Sequence, residues 1–552
     1  MQLQSAAKIP GDVARASEVA RVLIKYGLAG WLSGTEWGPI RRMLTSHAGE
    51  HLTDQPFPVR MRMALTDLGT TFIKLGQVLS TRPDLVGPDV ARELSHLQSG
   101  TPADPPDVAV ATVEKELARP IAECFLEFDR EAMASASIGQ VHRAKLPNGR
   151  AVVVKVQHPG IEGTIRRDLS ILSSLAALAE RQDEFKRYQP VAVVREFRQT
   201  LMRELDFRRE MRNLQQFRQN FAADHTVVFP KPYADLSTGR VLTMQLLKGT
   251  SVGDVAQLHH RHIDCEALAR QGAGVFVQMI FRDGFYHADP HPGNILVLAK
   301  GQVGILDGGM VGRIDDDLRE RIVEILLAAG DRDAPRLAEV IALIAKAPPN
   351  LDRGGLSADL MEVFAQYGSQ AVDKFDIGGA LTSVTRIMHE YNLFMPSRLS
   401  MLIKCLIILE GTAKGLNAEF NLDELLEPYR RQFVLQQFSP ETWLHKAKRR
   451  RRDWELLAES IPRGFTNLLE QLQAGDFVVR IKHPPLETSV NRLVYGLCTS
   501  ALLLASALLW IHEVPPTFHA VSILGAVGYL VAAFLATRIL WLTRLSDYRK
   551  DD

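Results

Sequence analysis

The chain of 552 residues sets 65 Lys plus Arg against 64 Asp plus Glu, a formal net charge of +1, which excludes a broadly basic nucleic-acid-binding surface. A composition of 46% hydrophobic and 23% charged residues is that of a folded globular chain and excludes wholesale disorder. Cys124, Cys265, Cys405 and Cys498 lie too far apart in sequence for neighbours to build a zinc motif or a disulfide framework, which fits a reducing compartment.

At roughly 150 residues per domain the length predicts three to four domains, or fewer if one large enzyme fold takes most of it. Residues 1–32 lack an unbroken apolar signal region. Ala14, Val19, Val22, Leu23 and Tyr26 recur at helical spacing among Arg15, Glu18 and Lys25, which predicts an amphipathic helix. Such a helix either covers a membrane surface or substrate, or packs on the body. Residues 33–120 read as helix and loop, with periodic apolar positions over 61–79 and a breaker run Thr81, Arg82, Pro83, Asp84. Strands follow at 124–128, 136–145 and 150–157, the last two joined by Pro147-Asn148-Gly149, since Asn-Gly accepts the positive φ of tight hairpins. A long helix is predicted over 191–221, then strands at 227–229 and 240–247, giving five strands with a helix after the third. From 258 to 435 the pattern is helical except over 284–310, where short apolar triplets surround His, Asp, Asn and Gly.

The tail differs from the rest. Residues 445–454 (HKAKRRRRDW) concentrate basic charge, and contact with anionic headgroups at about 1 kcal/mol per basic residue stands beside the plainer reading of a solvated helix face. Residues 493–511 and 521–537 carry no charge, and Ile539 to Leu542 extend the second run past Arg538. At about 1.5 Å per residue each nearly crosses a hydrocarbon core of about 30 Å, which predicts two transmembrane helices, at about 493–511 and 521–541. Basic residues flank the pair while their connector has neither Lys nor Arg, so the positive-inside rule places the body in the cytoplasm.

The chemistry concentrates in one ordered set. Lys155 ends the apolar strand Ala151-Val152-Val153-Val154. The Pro/Gly-bound loop from His287 to Asn294 puts Asp289 and Asn294 five residues apart, and Asp307-Gly308-Gly309 follows. Segments around 296 and 304 can pair as a hairpin, which would gather Asn294, Asp307 and Asp289 at one end. Two oxygen ligands and a third carboxylate suit Mg²⁺ held between protein and phosphates. The spacing matches the protein-kinase pattern H-x-D-x-x-x-x-N followed by D-x-G, with Asp289 facing the nucleophile and Asn294 and Asp307 on the metal. A kinase-type lysine needs an acidic partner from the next helix. On a continuous helix Asp206 and Glu210 lie within about 40° of each other, while Glu204 points about 120° or more away. No G-x-G-x-x-G precedes Lys155. In its place stand Ala134, Ser135, Ala136 and Ser137, whose side chains disfavour positive φ and would stiffen the loop over the phosphates.

With Lys74-Leu75-Gly76-Gln77 as a K-x-G-Q motif, the alanine-containing loop, Lys155, Glu204-x-Asp206, Glu210, the segment from His287 to Asn294 and Asp307, the sequence closely resembles the UbiB family, aarF-domain atypical kinase-like proteins tied to ubiquinone biosynthesis. The resemblance spans roughly residues 60–435. It implies an α+β, protein-kinase-like two-lobed fold with an N-terminal helical extension carrying K-x-G-Q (1–120), an N-lobe (121–248), a helical C-lobe (249–435), a basic helical linker (436–490) and a C-terminal transmembrane helical hairpin (491–552). It further implies that Lys74 and Gln77 reach the active site to meet Glu204 and Asp206, that Glu210 pairs with Lys155, and that Gln245 and Leu247 lie at the adenine-binding hinge. Ser135 where alanine is common, and Gly308 where D-F-G has an aromatic, are departures that leave the metal ligands intact.

The expected function is that of a membrane-anchored ATP-dependent kinase or ATPase using Mg²⁺, in the bacterial inner membrane with its catalytic body in the cytoplasm, and required for or regulating ubiquinone biosynthesis. Its partners would be ATP, anionic lipid, and lipid-soluble quinone intermediates or quinone-biosynthesis proteins, without nucleic acid. The alternative is a nucleotide-regulated scaffold or lipid-handling protein that transfers no phosphoryl group. An ordinary Ser/Thr kinase fits less well, because the cleft is covered and lacks a glycine-rich loop.

Overall fold

The structure is a computed structural model that describes residues 10–28, 55–97, 101–186, 188–299, 301–368, 376–417, most positions from 419 to 429, 486–511, 516–518 and 521–547. The basic run 445–454 and most of the expected linker lie outside the described residues. The chain divides into two compact units, Met1–Thr442 and Trp443–Asp552.

The first unit begins with α1 (Pro10–Lys25), α2 (Phe57–Leu68) and α3 (Thr70–Leu79), which carries the K-x-G-Q residues. Of the two readings of the N-terminal helix, the packed one is seen. Val19 and Ala20 are buried, and Arg15 donates to Asp168 Oδ1 (2.9 Å) and to the Leu68 carbonyl (2.6 Å).

A five-stranded antiparallel sheet follows, of β1 (Glu127–Phe128), β2 (Ala134–Ser135), β3 (Gly139–Lys145), β4 (Ala151–Gln157) and, later in the chain, β6 (Val241–Gln245), in the order β1-β3-β4-β6 with β2 on β3. The 147–149 turn closes the β3–β4 hairpin as expected, with Gly149 at φ +77°. β4 is covered on both faces, which explains its run of valines. Side chains alternate along a strand, so Val152, Val154 and Val156 join Val113 and Phe125 on one side. Val153 and Lys155 point the other way, and Val153 packs among Leu201, Leu205, Phe207 and Leu214.

The main helices between β4 and the next strands are α4 (Ile161–Ala179), α5 (Pro190–Glu204) and α6 (Phe207–Asn220). The single helix expected over 191–221 is broken. Asp206 leaves the helical conformation (φ −104°, ψ 95°) and accepts a hydrogen bond from Arg208 N, so it caps α6 instead of lying inside a longer helix. Phe207 N bonds to the Gly239 carbonyl (3.0 Å) and Gln157 Nε2 to the Leu205 carbonyl (2.8 Å), which holds the break against the sheet.

The strand at 227–229 also departs from expectation. β5 (Val227–Val228) leaves the first sheet and pairs in parallel with β10 (Val303–Ile305). β10 pairs antiparallel with β9 (Ile295–Leu298), the hairpin read from the sequence, and β9 pairs with β7 (Gly249–Ser251). The remainder is helical: α7 (Cys265–Gln278), α8 (Asp316–Gly330), α9 (Ala334–Ile344), α10 (Arg353–Gly368), α11 (Ile377–Glu390) and α12 (Ser397–Leu416). They enclose one large core with Phe276, Tyr286 and Leu402 at its centre, where fully burying each such side chain contributes roughly 1.5–3 kcal/mol. A further short pair, β8 (Phe285–His287) with β11 (Val311–Arg313), leads the chain into and out of the polar loop.

In the second unit α13 (Leu486–Ile511) and α14 (Ile523–Asp547) pack against each other, with Ser506 seated against Gly528. Among the described residues no helix is long and apolar enough to cross a membrane, so the expected spans stand in the structure as a helical hairpin.

Candidate functional site

The alternation of β4 turns Lys155 toward α6, whose first turn presents Glu210. Lys155 Nζ donates to Glu210 Oε2 at 2.9 Å and Oε1 at 3.2 Å, lies 3.7 Å from Asp307 Oδ1, and stands 5.2 Å from the centre of the Phe207 ring. Burial alone would lower the Lys155 pKa, but the carboxylates of Asp307 and Glu210 outweigh it and hold the ammonium above its ordinary range. The Lys155 charge in turn holds Asp307 well below the usual carboxylate range. Glu210, only 5% exposed, is pushed up to about 7 by burial against the pull of Lys155. Asp307 is different in kind, because 44% of its side chain opens to solvent.

Three local devices place that carboxylate. Asp307 has φ +49°, its Oδ1 accepts from Gly309 N (2.9 Å), and its carbonyl lies 2.6 Å from Nε2 of buried His287. His287 Nδ1 also accepts from Asp289 N (3.3 Å), so its two contacts assign the neutral Nε2–H tautomer. Asn294 ends a single 3₁₀ turn, Pro292–Asn294, and its Nδ2 donates to both the carbonyl (3.2 Å) and Oδ2 (3.1 Å) of Asp289. The Leu306 N to Asn294 carbonyl bond (2.8 Å) continues the β9–β10 pairing up to Asp307.

The amide of Asn294, turned by nitrogen toward Asp289, leaves its oxygen free to face a cation, and the exposed Asp307 carboxylate could supply a second oxygen. This donor set fits a hard cation that takes its other ligands from phosphate and water. Among the described residues no group of three or more His, Cys, Asp or Glu side chains gathers as a metal site.

The Ala-Ser-Ala-Ser segment forms β2 and the turn beyond it, with Ala134 opposite Val141 and Ser135 opposite Gln140. Ala136 N donates to the Gly139 carbonyl (2.9 Å), the Ala136 carbonyl lies 2.9 Å from Nε2 of His158, and Ser137 is buried. The Ser135 hydroxyl is buried and has no hydrogen-bond partner among the described residues. At the expected hinge, Gln245 N donates to the Lys231 carbonyl (2.9 Å), and Leu247 packs over Gly304 of β10.

The K-x-G-Q residues divide. Lys74 Nζ pairs with Glu204 Oε2 at 3.0 Å, while Gln77 donates to the Leu97 carbonyl (3.2 Å). Asp206, expected beside them, is instead the cap of α6 and lies 3.8 Å from Arg208. Gly76 has a packing reason, since a Cβ there would stand 2.2 Å from Leu97 Cδ1. The space at Gly308 is taken by α6: a Cβ would stand 3.0 Å from Leu214 Cγ, and Asn213 Nδ2 donates to the Gly308 carbonyl (2.8 Å).

One site residue escaped the motif reading. Lys404, in the middle of α12, is half-buried beside the loop at 287–290. The available signal was a single lysine in an apolar stretch, Met401 to Leu409, because a charge drawn partly out of water needs a reason to be there.

The chain matches family models described as "ABC1 atypical kinase-like domain" over residues 96–341, "UbiB helical domain" over 360–421 and "ABC1/UbiB kinase-like C-terminal domain" over 485–544. It is 34% identical over 430 residues to "Probable protein kinase UbiB" of Pseudomonas paraeruginosa, covering 77% of this chain and 78% of that one. To the protein of the same name in Azotobacter vinelandii it is 33% identical over 493 residues, 88% of each. A solved complex of Rv3197 with erythromycin from Mycobacterium tuberculosis aligns with 59% of this chain and 89% of its own, at 22% identity and a TM-score of 0.39.

Proposed function

Because the chain belongs to the ABC1/UbiB family of atypical kinase-like proteins, we propose that it is an ATP-dependent, Mg²⁺-using enzyme that acts at a lipid surface in ubiquinone biosynthesis. The observation that carries this reading is the convergence of Lys155, Glu210 and Asp307 within one ion-paired group, with Asn294 and Asp289 on the adjoining loop.

Phosphoryl transfer asks a protein mainly for positioning and charge, since the transition state is loose and its charge is spread over phosphate oxygens. Glu210 holds Lys155 extended along the cleft, where its ammonium would take the α and β phosphates. Asn294 and Asp307 would hold Mg²⁺, which when bound neutralises phosphate charge. Asp289, oriented by Asn294 Nδ2, would accept the proton of the attacking hydroxyl or water. The orphaned Ser135 hydroxyl offers one more donor in the loop above. Purified full-length protein with detergent or anionic lipid is expected to turn over ATP, and turnover unchanged in Asp307→Asn or Lys155→Ala overturns the reading.

The lipid part rests on the second unit. Leu497, Leu504, Ile511, Leu530 and Phe534 are each more than 60% exposed, and a lipid surface would cover them. A bacterial inner-membrane location, with anionic lipid against 445–454 and the body in the cytoplasm, follows from the flanking charges. Quinone intermediates or quinone-biosynthesis proteins are the proposed partners. A deletion strain complemented with wild type should regain ubiquinone, and full restoration by Asp307→Asn would remove nucleotide chemistry from that role.

A second reading, a nucleotide-regulated scaffold without net transfer, is favoured by one observation. The Lys74–Glu204 pair ties the cover helix α3 to α5 beside the cleft. Labelled γ-phosphate appearing stoichiometrically on a lipid or protein, dependent on Asp289, overturns it.

A further inference from the structure

The loop from His287 to Asn294 contains neither Lys nor Arg, and its His291 is engaged locally, with Nδ1 accepting from Gly293 N (3.2 Å). The charge that develops on a transferring phosphoryl group is stabilised by fixed cations aimed at it. Lys155 is committed to Glu210 and Lys74 to Glu204. On the side of Asp289 the loop supplies no cation of its own.

Helix α12 runs behind this loop and is bonded to it twice. Cys405 Sγ donates to the His287 carbonyl (3.4 Å) and Thr412 Oγ1 to the Pro290 carbonyl (3.1 Å). On another face Ser400 Oγ donates to the carbonyl of Thr81, just beyond the cover helix α3 (3.0 Å). At 100° per residue Lys404 stands about 40° from Ser400 and about 80–100° from Thr412 and Cys405 on the opposite side. Its direction therefore falls between the polar loop and the cover. The electrostatics agree with this placement: burial lowers the Lys404 pKa, Asp289 raises it, and Lys74 lowers it. Lys404 is thus within electrostatic reach of both walls of the gap.

Resting on the nucleotide reading above, we propose that Lys404 is a further phosphate-binding cation of the site, contacting the terminal phosphoryl group of a bound nucleoside triphosphate. In the transfer the bond from the terminal phosphorus to the bridging oxygen breaks and the diphosphate leaves with the electron pair. A bond forms to the acceptor oxygen, whose proton passes to Asp289. Lys404 neutralises the non-bridging oxygens as this occurs. A diphosphate has no group at that position, so the side chain distinguishes the two nucleotides.

The test is calorimetric titration of the full chain in detergent with Mg²⁺ and either ADP or a non-hydrolysable triphosphate analogue. In Lys404→Met the triphosphate is expected to bind about tenfold to a hundredfold more weakly, while ADP changes by less than about twofold. Lys404→Arg should keep most of the triphosphate preference. Equal losses for both nucleotides, or no loss for either, overturn the assignment and leave the nucleotide reading standing. Wild type that binds neither nucleotide overturns both. If Lys404→Met does not fold, Lys404→Gln is read by the same ratio.

Discussion

Lys155 is the only non-valine between Val152 and Val156, and its ammonium stays charged because two carboxylates face it. Deleting it brings Glu210 and Asp307 together without a cation. Lys155→Ala is expected to weaken nucleotide binding at least about tenfold and to cost about 3 kcal/mol in denaturant unfolding, since removing one member of a buried pair strands the other. The double variant Lys155→Met with Glu210→Leu should recover most of that stability and none of the binding, which separates the structural from the chemical role of the pair. At this scale the sequence was informative where spacing carries the chemistry. Lys155, Asp289, Asn294 and Asp307 stand out as an ordered set, and the structure sets Lys155 3.7 Å from Asp307 and Asn294 against Asp289. Spacing was silent on Lys404, whose significance depends on which loop its helix backs.

Among elements, α6 decides the most. It caps itself with Asp206, presents Glu210 to Lys155 and fills the space beside Gly308 with Leu214. A side chain at 308 would be crowded and α6 would have to give by a few tenths of an ångström, since its Cβ would also lie 3.2 Å from the Glu210 carbonyl oxygen. Gly308→Ala is therefore expected to push α6 away from β4, destabilising the protein by about 1–3 kcal/mol and weakening nucleotide binding severalfold. Caps elsewhere have smaller effects. Asp315 accepts from Leu318 N (3.0 Å) at the start of α8, and Asp315→Ala should cost about 1 kcal/mol. The backbone bond from Leu318 lowers the Asp315 pKa, so this stabilisation is present above the ordinary carboxylate range and is lost as pH falls through the folded pKa. Thermal unfolding of the variant and wild type should converge at strongly acidic pH. Periodicity made a helix over 191–221 legible. It could not show the break, because one of the bonds that hold it comes from Gly239, more than thirty residues further on.

For the whole molecule, the two compact units predict separable properties. A chain ending before residue 486 should keep nucleotide binding and lose flotation with anionic liposomes, whereas full-length protein floats. Flotation by the truncated chain would assign the lipid contact to the first unit instead. Within the second unit the seat of Ser506 on Gly528 sets the approach of the helices, and Gly528→Leu should separate them.

What the sequence determined by itself was local and periodic: the β3–β4 hairpin, the β9–β10 hairpin, the catalytic-type motif order and the uncharged tail. These follow from neighbouring residues, through turn chemistry, alternation and hydrophobic runs. Tertiary structure decided the pairings: Asp206 at the cap of α6 and not with Glu204 beside Lys74, β5 in the second sheet rather than the first, and α12 bonded both to the polar loop and to Thr81. Such contacts join residues up to more than three hundred positions apart. They depend on how whole faces pack, and a side chain's neighbours across such a distance leave no period in the chain.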